Sequence, residues 1–190
     1  MKETQTSSTE IETTPQNLPA PQGIGMAVAL DWGLTVQIAL TPIISLFRQS
    51  NLVNLPGFNP TLGNILFFII TLIIACIPAL FGEMVRRGRN WARWTQLVVT
   101  ALLSLGGLIS LPNLYQSIQI GNFWPIVTEI ILVIISPLIV WRLSRPATAR
   151  WFKSVSVTEA RRRHGGSWVW FIALWAIVGG VLQTLAAMNR

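Results

Sequence analysis

Charged residues and residues suited to catalysis are scarce in this chain of 190 residues. Charged residues make up 11% of the sequence and hydrophobic residues 52%, whereas soluble domains carry roughly 25% charged residues. The single cysteine, Cys76, excludes an intrachain disulfide and a cysteine-based metal site, and its place within an apolar run predicts a small buried side chain. The single histidine, His164, lies in a polar stretch, so we expect it to be solvated. These shortages indicate that lipid surrounds most of the chain.

The sequence also lacks the patterns that are typical of enzymes and of cofactor or metal sites. No second histidine or cysteine completes a metal site with His164, and no nucleophile can be paired with a base. Gly88 stands alone between arginines and predicts a tight turn instead of a phosphate-binding loop. We therefore expect a non-catalytic protein without a cofactor or metal.

Five apolar runs are long enough to cross a bilayer, which requires about 17 to 25 residues in a helix. They cover about residues 25–47, 62–85, 94–111, 125–143 and 168–188, with an uncharged loop expected at residues 112–123. Residues 1–22 are rich in Thr, Ser, Gln and Pro and predict a disordered cytoplasmic tail. The predicted fold is an all-α polytopic membrane protein with one bundle over residues 23–190. The alternative is four crossings, should the first run, which carries Asp31, not span.

The basic residues indicate which way the chain crosses the membrane. Of 14 Lys and Arg residues, four lie at residues 86–93 and seven at residues 142–163, while the two outer loops hold one. Short Lys/Arg-rich loops are retained in the cytoplasm, so we expect an inner amino terminus. Because the net charge of +7 flanks apolar runs, it does not predict nucleic-acid binding. In the inner loop 144–167, Ser156 and Glu159 form a capping-box pattern that predicts a short surface helix.

Glu129 is the first candidate functional residue. It lies about five residues inside the outer end of the fourth run, roughly 7 Å deep. A carboxylate there costs a few kcal/mol unless it is paired, protonated or hydrated. A carrier would use it as a polar handle, whereas a structural role would have it reach the headgroups or bond to Tyr115, Gln116 or a helix terminus.

Asp31 and Glu83 lie near the inner ends of their runs, where arginines can neutralise them. Glu83 and Arg87 are four residues apart and share a helix face. We expect an inner network of Asp31, Glu83, Arg86 and Arg93 with a structural role, although Asp31 is also a second candidate handle within the membrane.

The inner arginines admit two interpretations. They determine topology, or they form a surface for anionic lipids or an acidic partner, because each juxtamembrane Lys or Arg adds roughly 1 kcal/mol of attraction. The candidate contacts are Arg86, Arg87, Arg89, Arg93, Arg161, Arg162 and Arg163.

Two segments carry a resemblance to a known group. The segment 88–93 reads Gly-Arg-Asn-Trp-Ala-Arg, and the segment 149–152 reads Ala-Arg-Trp-Phe. They resemble a pair of motifs in uncharacterised small bacterial four-helix membrane proteins, in which a Gly-Arg-x-Trp-Ala-Arg turn joins the middle helices. This chain departs from them by lacking one residue in the second motif and by adding a fifth crossing. The resemblance implies a location in a bacterial cytoplasmic (inner) membrane, and it implies no activity.

The leading functional hypothesis is an assembly or accessory subunit that forms a homo- or hetero-oligomer in the bilayer. Its fifth helix offers Gly179 and Gly180 for close helix approach. The alternative is a small transporter or channel component that uses Glu129.

Overall fold

The computed structural model describes residue 21, residues 23–47 and residues 60–189. The expected disordered tail therefore lies outside the described residues except for residue 21, and so does most of the first outer loop. Within the described ranges the chain is helical and has no strand.

Five helical spans are long and apolar enough to cross a membrane, which confirms the predicted fold class. The first three are α1 (Ile24–Phe47), α2 (Pro60–Arg86) and α3 (Asn90–Gln119). The fourth consists of α4 (Pro125–Glu129), a π-helical segment (Ile130–Ile135) and α5 (Ser136–Ser144). Two short helices, α6 (Pro146–Ser154) and α7 (Val157–Arg163), precede the fifth span, α8 (Ser167–Met188).

The loop predicted at residue 112 is wrong, because α3 continues through Pro112 to Gln119. Proline removes only the hydrogen bond to the carbonyl of Leu108, and neighbouring helices compensate for such a loss in membrane spans. The turn comes at Gly121, whose φ of 79° favours glycine.

The inner loop contains one more helix than the sequence predicted. Helix α6 starts with Pro146 at its first turn, where proline has no bond to lose, and it buries Thr148, Trp151 and Phe152 on one face. Helix α7 is the predicted short helix, and the Glu159 amide donates to the Ser156 hydroxyl at 3.2 Å. The serine half of the capping box is confirmed, whereas the Glu159 carboxylate binds Arg162 and Arg163.

Helix α1 occupies the centre of the bundle between α2 and α8, while α3 packs on the fourth span. Most of the buried apolar core lies at one end, which we call the basic end; it carries the α2–α3 turn and residues 145–166. Gly88 makes the turn there with φ of 72°, as predicted. A side chain at Gly88 would meet Val155 at 2.7 Å, so the turn sits directly on the α6–α7 connection.

The prediction that Cys76 is buried is wrong, because its side chain is exposed on α2. Buried and outward-facing positions of a membrane span are both apolar, so an apolar sequence context does not reveal which face a residue occupies.

Candidate functional site

Glu129 is buried between α4 and α3, with 7% of its surface exposed. Its Oε1 atom lies 2.6 Å from the hydroxyl oxygen of Ser110, and its Oε2 atom is buried without a hydrogen-bond partner among the described residues. The predicted partners Tyr115 and Gln116 are wrong, because both side chains are exposed. Glu129 therefore faces the interior of the bundle and does not reach out to the headgroups.

The hydroxyl of Ser110 lies near two acceptors. Its oxygen lies 2.9 Å from the carbonyl oxygen of Gly107 as well as 2.6 Å from Glu129 Oε1. A serine hydroxyl carries one hydrogen, which it gives to one acceptor or shares between two. If Ser110 donates to Gly107, a proton on Glu129 completes the second bond. The geometry accommodates a proton on this carboxyl group.

The π-helical segment begins directly after Glu129. The amide and the hydroxyl of Ser136 both donate to the carbonyl of Ile131, five residues earlier, and Pro137 follows without an amide hydrogen. A side chain at Gly107 would come within 2.5 Å of Leu132, so α3 lies tightly against this segment. π-helical turns in α-helices are often found at functional sites.

Asp31 forms a second buried polar site, on α1, with 4% of its surface exposed. Gln96 on α3 donates from Nε2 to Asp31 Oδ1 at 3.0 Å. Asp31 Oδ2 and Gln96 Oε1 are both buried without a hydrogen-bond partner in the described part of the chain. A carboxylate oxygen and an amide oxygen that lack donors can accept a proton or a small cation.

The predicted inner network is wrong for two of its four members. Asp31 bonds to Gln96 and forms no ion pair among the described residues, while Arg93 donates to the carbonyl of Leu143 at 3.0 Å. That carbonyl lies in the last turn of α5, where backbone acceptors lack a helical partner. Glu83 does bind Arg86 and Arg87, at 2.6 and 2.7 Å.

One face of α3 supplies the neutral partners of both carboxylates, and the sequence analysis overlooked these partners. Its polar and small residues recur every three to seven positions: Arg93, Gln96, Thr100, Gly107 and Ser110. Residues at helical spacing share a face, so this stripe was a signal that could have identified Gln96 and Ser110. The rise along α3 separates these two residues by about 21 Å.

His164 is buried, with 4% of its surface exposed, so the prediction that it is solvated is wrong. Its ring lies 5.5 Å from that of Trp151 and 4.8 Å from that of Trp168, and Arg86 donates to its carbonyl at 2.9 Å. Burial lowers the pKa of the imidazole, and the charges of Arg86 and Arg163 lower it further, against a raising contribution from its bond to Ala160. His164 ties the segment before α8 to the end of α2.

Most of the seven arginines proposed for lipid contact are engaged within the protein. Arg86 and Arg87 bind Glu83, Arg162 and Arg163 bind Glu159, and Arg93 is buried. The hydrogen bonds from Arg163 and Arg162 hold the pKa of Glu159 below its usual value. Arg89 and Arg161 remain as exposed candidates.

The described residues contain no group of three or more His, Cys, Asp or Glu side chains placed to hold a metal ion. The chain matches no family model, no curated protein and no solved structure. The resemblance to small four-helix membrane proteins therefore stays a prediction.

Proposed function

We propose that this protein is a small membrane carrier or channel component in which Glu129 and Asp31 bind protons. The observation that carries the proposal is that Glu129 is buried in a span with its Oε2 atom lacking a hydrogen-bond partner among the described residues. A bare buried carboxylate in a span is costly, and a proton removes that cost.

The two carboxylates occupy opposite halves of the bundle. Asp31 lies about 10 Å from the start of α1, and Glu129 about 6 Å from the start of α4 at the other end. Each has a neutral partner on the same face of α3. We propose that the two acids are separate proton-binding positions near the two ends of the spans.

Proton flux into liposomes tests this proposal. The purified protein is reconstituted, a pH gradient is imposed, and the internal pH is followed with a trapped dye for the wild type, Glu129→Gln and Asp31→Asn. Glu159→Gln is the matched control, because it removes an acid from α7, outside the spans. We expect both intramembrane variants to lose the flux while their gel-filtration profile stays that of the wild type.

A wild-type flux equal to that of empty liposomes overturns the proposal, and so does a flux that survives in both variants. Infrared difference spectroscopy gives a separate measurement, since a protonated carboxyl group has its own carbonyl band. A carbonyl band that appears or disappears as the pH is changed, and that is absent from Glu129→Gln, would assign proton binding to Glu129.

The second candidate function is the assembly or accessory subunit. Helix α2 is the place to test it, because α2 packs chiefly on α1 and presents a broad outer face. Its exposed large apolar residues are Leu62, Ile65, Leu66, Ile69, Ile70, Leu72, Ile73, Ile74, Ile77 and Leu80. Cys76 lies exposed on the same helix, so oxidation in native membranes should trap a disulfide-linked dimer that Cys76→Ser abolishes if two copies meet through α2. A monomer after oxidation counts against self-association there.

The proposed location is the bacterial cytoplasmic membrane with the amino terminus inside. Eleven basic residues at 86–93 and 142–163 support this orientation. Single cysteines placed at Arg89 and Arg162 in a Cys76→Ser background should both react from the cytoplasmic side. Labelling of the two positions from opposite sides would contradict this topology.

A further inference from the structure

An apolar groove of about 530 Å³ runs between α1, the fourth span and α8. On α8 it extends from Phe171 to Gln183, about 18 Å along the helix axis. The hydrocarbon core of a bilayer is roughly 30 Å thick, so one leaflet is about half of that. The groove is slightly longer than one leaflet is deep. All but one of its lining residues are apolar or glycine, Gln183 being the exception. Its length and its lining fit a single acyl chain.

The groove opens sideways into the surrounding medium. Phe171 and Trp175 line it and expose 59% and 58% of their surfaces. Gly179 also lines it, and a side chain added there would meet nothing within 4 Å. A lipid chain can therefore enter from the bilayer without rearrangement of the helices.

A cationic cluster lies at the end of the groove nearer the basic end. Arg142 follows the lining residue Ile135 by seven positions, so it lies on the same face about 10 Å further along the helix. A side chain at Gly23 would touch the Arg142 side chain at 2.6 Å, and Gly23 is two residues before the lining residue Gly25. Arg142 therefore lies beside the residues that precede the lining residue Gly25 on α1.

Two guanidinium groups in this cluster make cation–π contacts with the same indole ring. Arg142 and Arg145 lie 5.3 and 4.0 Å from the ring centroid of Trp141, which is 52% exposed. Both groups carry positive charge, so they attract an anionic group that lies beside the ring. Phosphate suits arginine, because the guanidinium fork binds two of its oxygens at once. Tryptophan is common at the depth of lipid headgroups.

We propose that this groove binds one acyl chain of an anionic phospholipid whose phosphate lies against Arg142 and Arg145. The charge of the cluster selects the anionic headgroup, and the length of the groove selects the chain. This site differs from the arginines proposed from the sequence, and it does not depend on proton binding at Glu129.

Native mass spectrometry of the whole protein tests the headgroup part of the proposal. The protein is released from nanodiscs that contain equal amounts of phosphatidylglycerol and phosphatidylcholine, and the retained lipids are counted. Arg142→Gln combined with Arg145→Gln should weaken phosphatidylglycerol retention about thirtyfold, as expected for two juxtamembrane cations. Arg150→Gln combined with Lys153→Gln is the matched control, because it removes the same charge from the exposed face of α6.

A pair of glycine variants tests whether the groove holds the acyl chain of the lipid. Gly179→Leu should fill the groove and reduce retention, whereas Gly106→Leu, at an equally open helical glycine on α3, should leave it unchanged. Equal losses within either pair of variants overturn the proposal, as does equal retention of the two lipids. A dimer that Gly179→Leu dissociates also overturns it, because the occupant would then be a second copy.

Discussion

Two adjacent glycines on α8 should respond in opposite ways to the same substitution. A Cβ atom at Gly180 would lie 2.6 Å from the carbonyl oxygen of Gly33 and 2.6 Å from the Cβ atom of Val36. A Cβ atom at Gly179 would meet nothing within 4 Å. Gly180→Ala therefore tests the crossing of α1 and α8, and Gly179→Ala is its control one residue away.

The magnitude follows from these distances. Non-bonded carbon atoms are most stable about 3.5 to 4.0 Å apart, so the alanine at residue 180 forces α1 and α8 to separate by roughly 1 Å. Neither obstructing atom can rotate away, because one belongs to the backbone and the other to a β-branched side chain. Overpacking of this kind costs about 1–3 kcal/mol. Gly179→Ala should be neutral or slightly stabilising, since alanine favours the helix.

Thermal unfolding in a mild detergent, followed by tryptophan fluorescence, measures the difference. A gap of about 2 kcal/mol corresponds to roughly 4–8 °C in Tm for a chain of this size. Gly180→Ala should melt below the wild type and Gly179→Ala at or above it. Equal melting of the two variants would refute the assigned α1–α8 crossing.

Three further predictions concern the segment at the basic end. Because the pKa of His164 in the fold lies below its ordinary value of 6.5, the unfolded chain takes up the proton first. The contribution of His164 to stability is therefore complete above pH 6.5 and declines as the pH falls below that value. The melting temperature of His164→Phe should lose this dependence on pH. Ser156→Ala should cost about 1 kcal/mol and speed amide exchange in α7, while exchange in α8 stays as in the wild type. Glu83→Gln should weaken the contact with Arg86 by about 1 kcal/mol after solvent screening. Because Arg86 also donates to the carbonyl of His164, trypsin should then cleave faster within residues 145–166.

The five spans could be predicted from the sequence because length and hydropathy are properties of a local stretch of chain. The Gly88 turn and the Ser156 cap were predictable for the same reason, since each depends on residues that are neighbours in the sequence. The end of α3 was not, because Pro112 is compatible both with a loop and with a helix inside a bundle.

The partners of the polar residues were decided by the tertiary structure alone. Asp31 bonds to a residue 65 positions away, and Glu129 to one 19 positions away. His164 is buried because α6 and α8 bring two tryptophans to its ring, although the sequence around it is polar. In a membrane span the inward and outward faces are both apolar, so hydropathy places a helix in the bilayer without stating its rotation or its neighbours. The amino-acid sequence thus determined which segments enter the membrane and which arginines are paired within one helix, and helix packing determined which carboxylates are buried and where a groove opens.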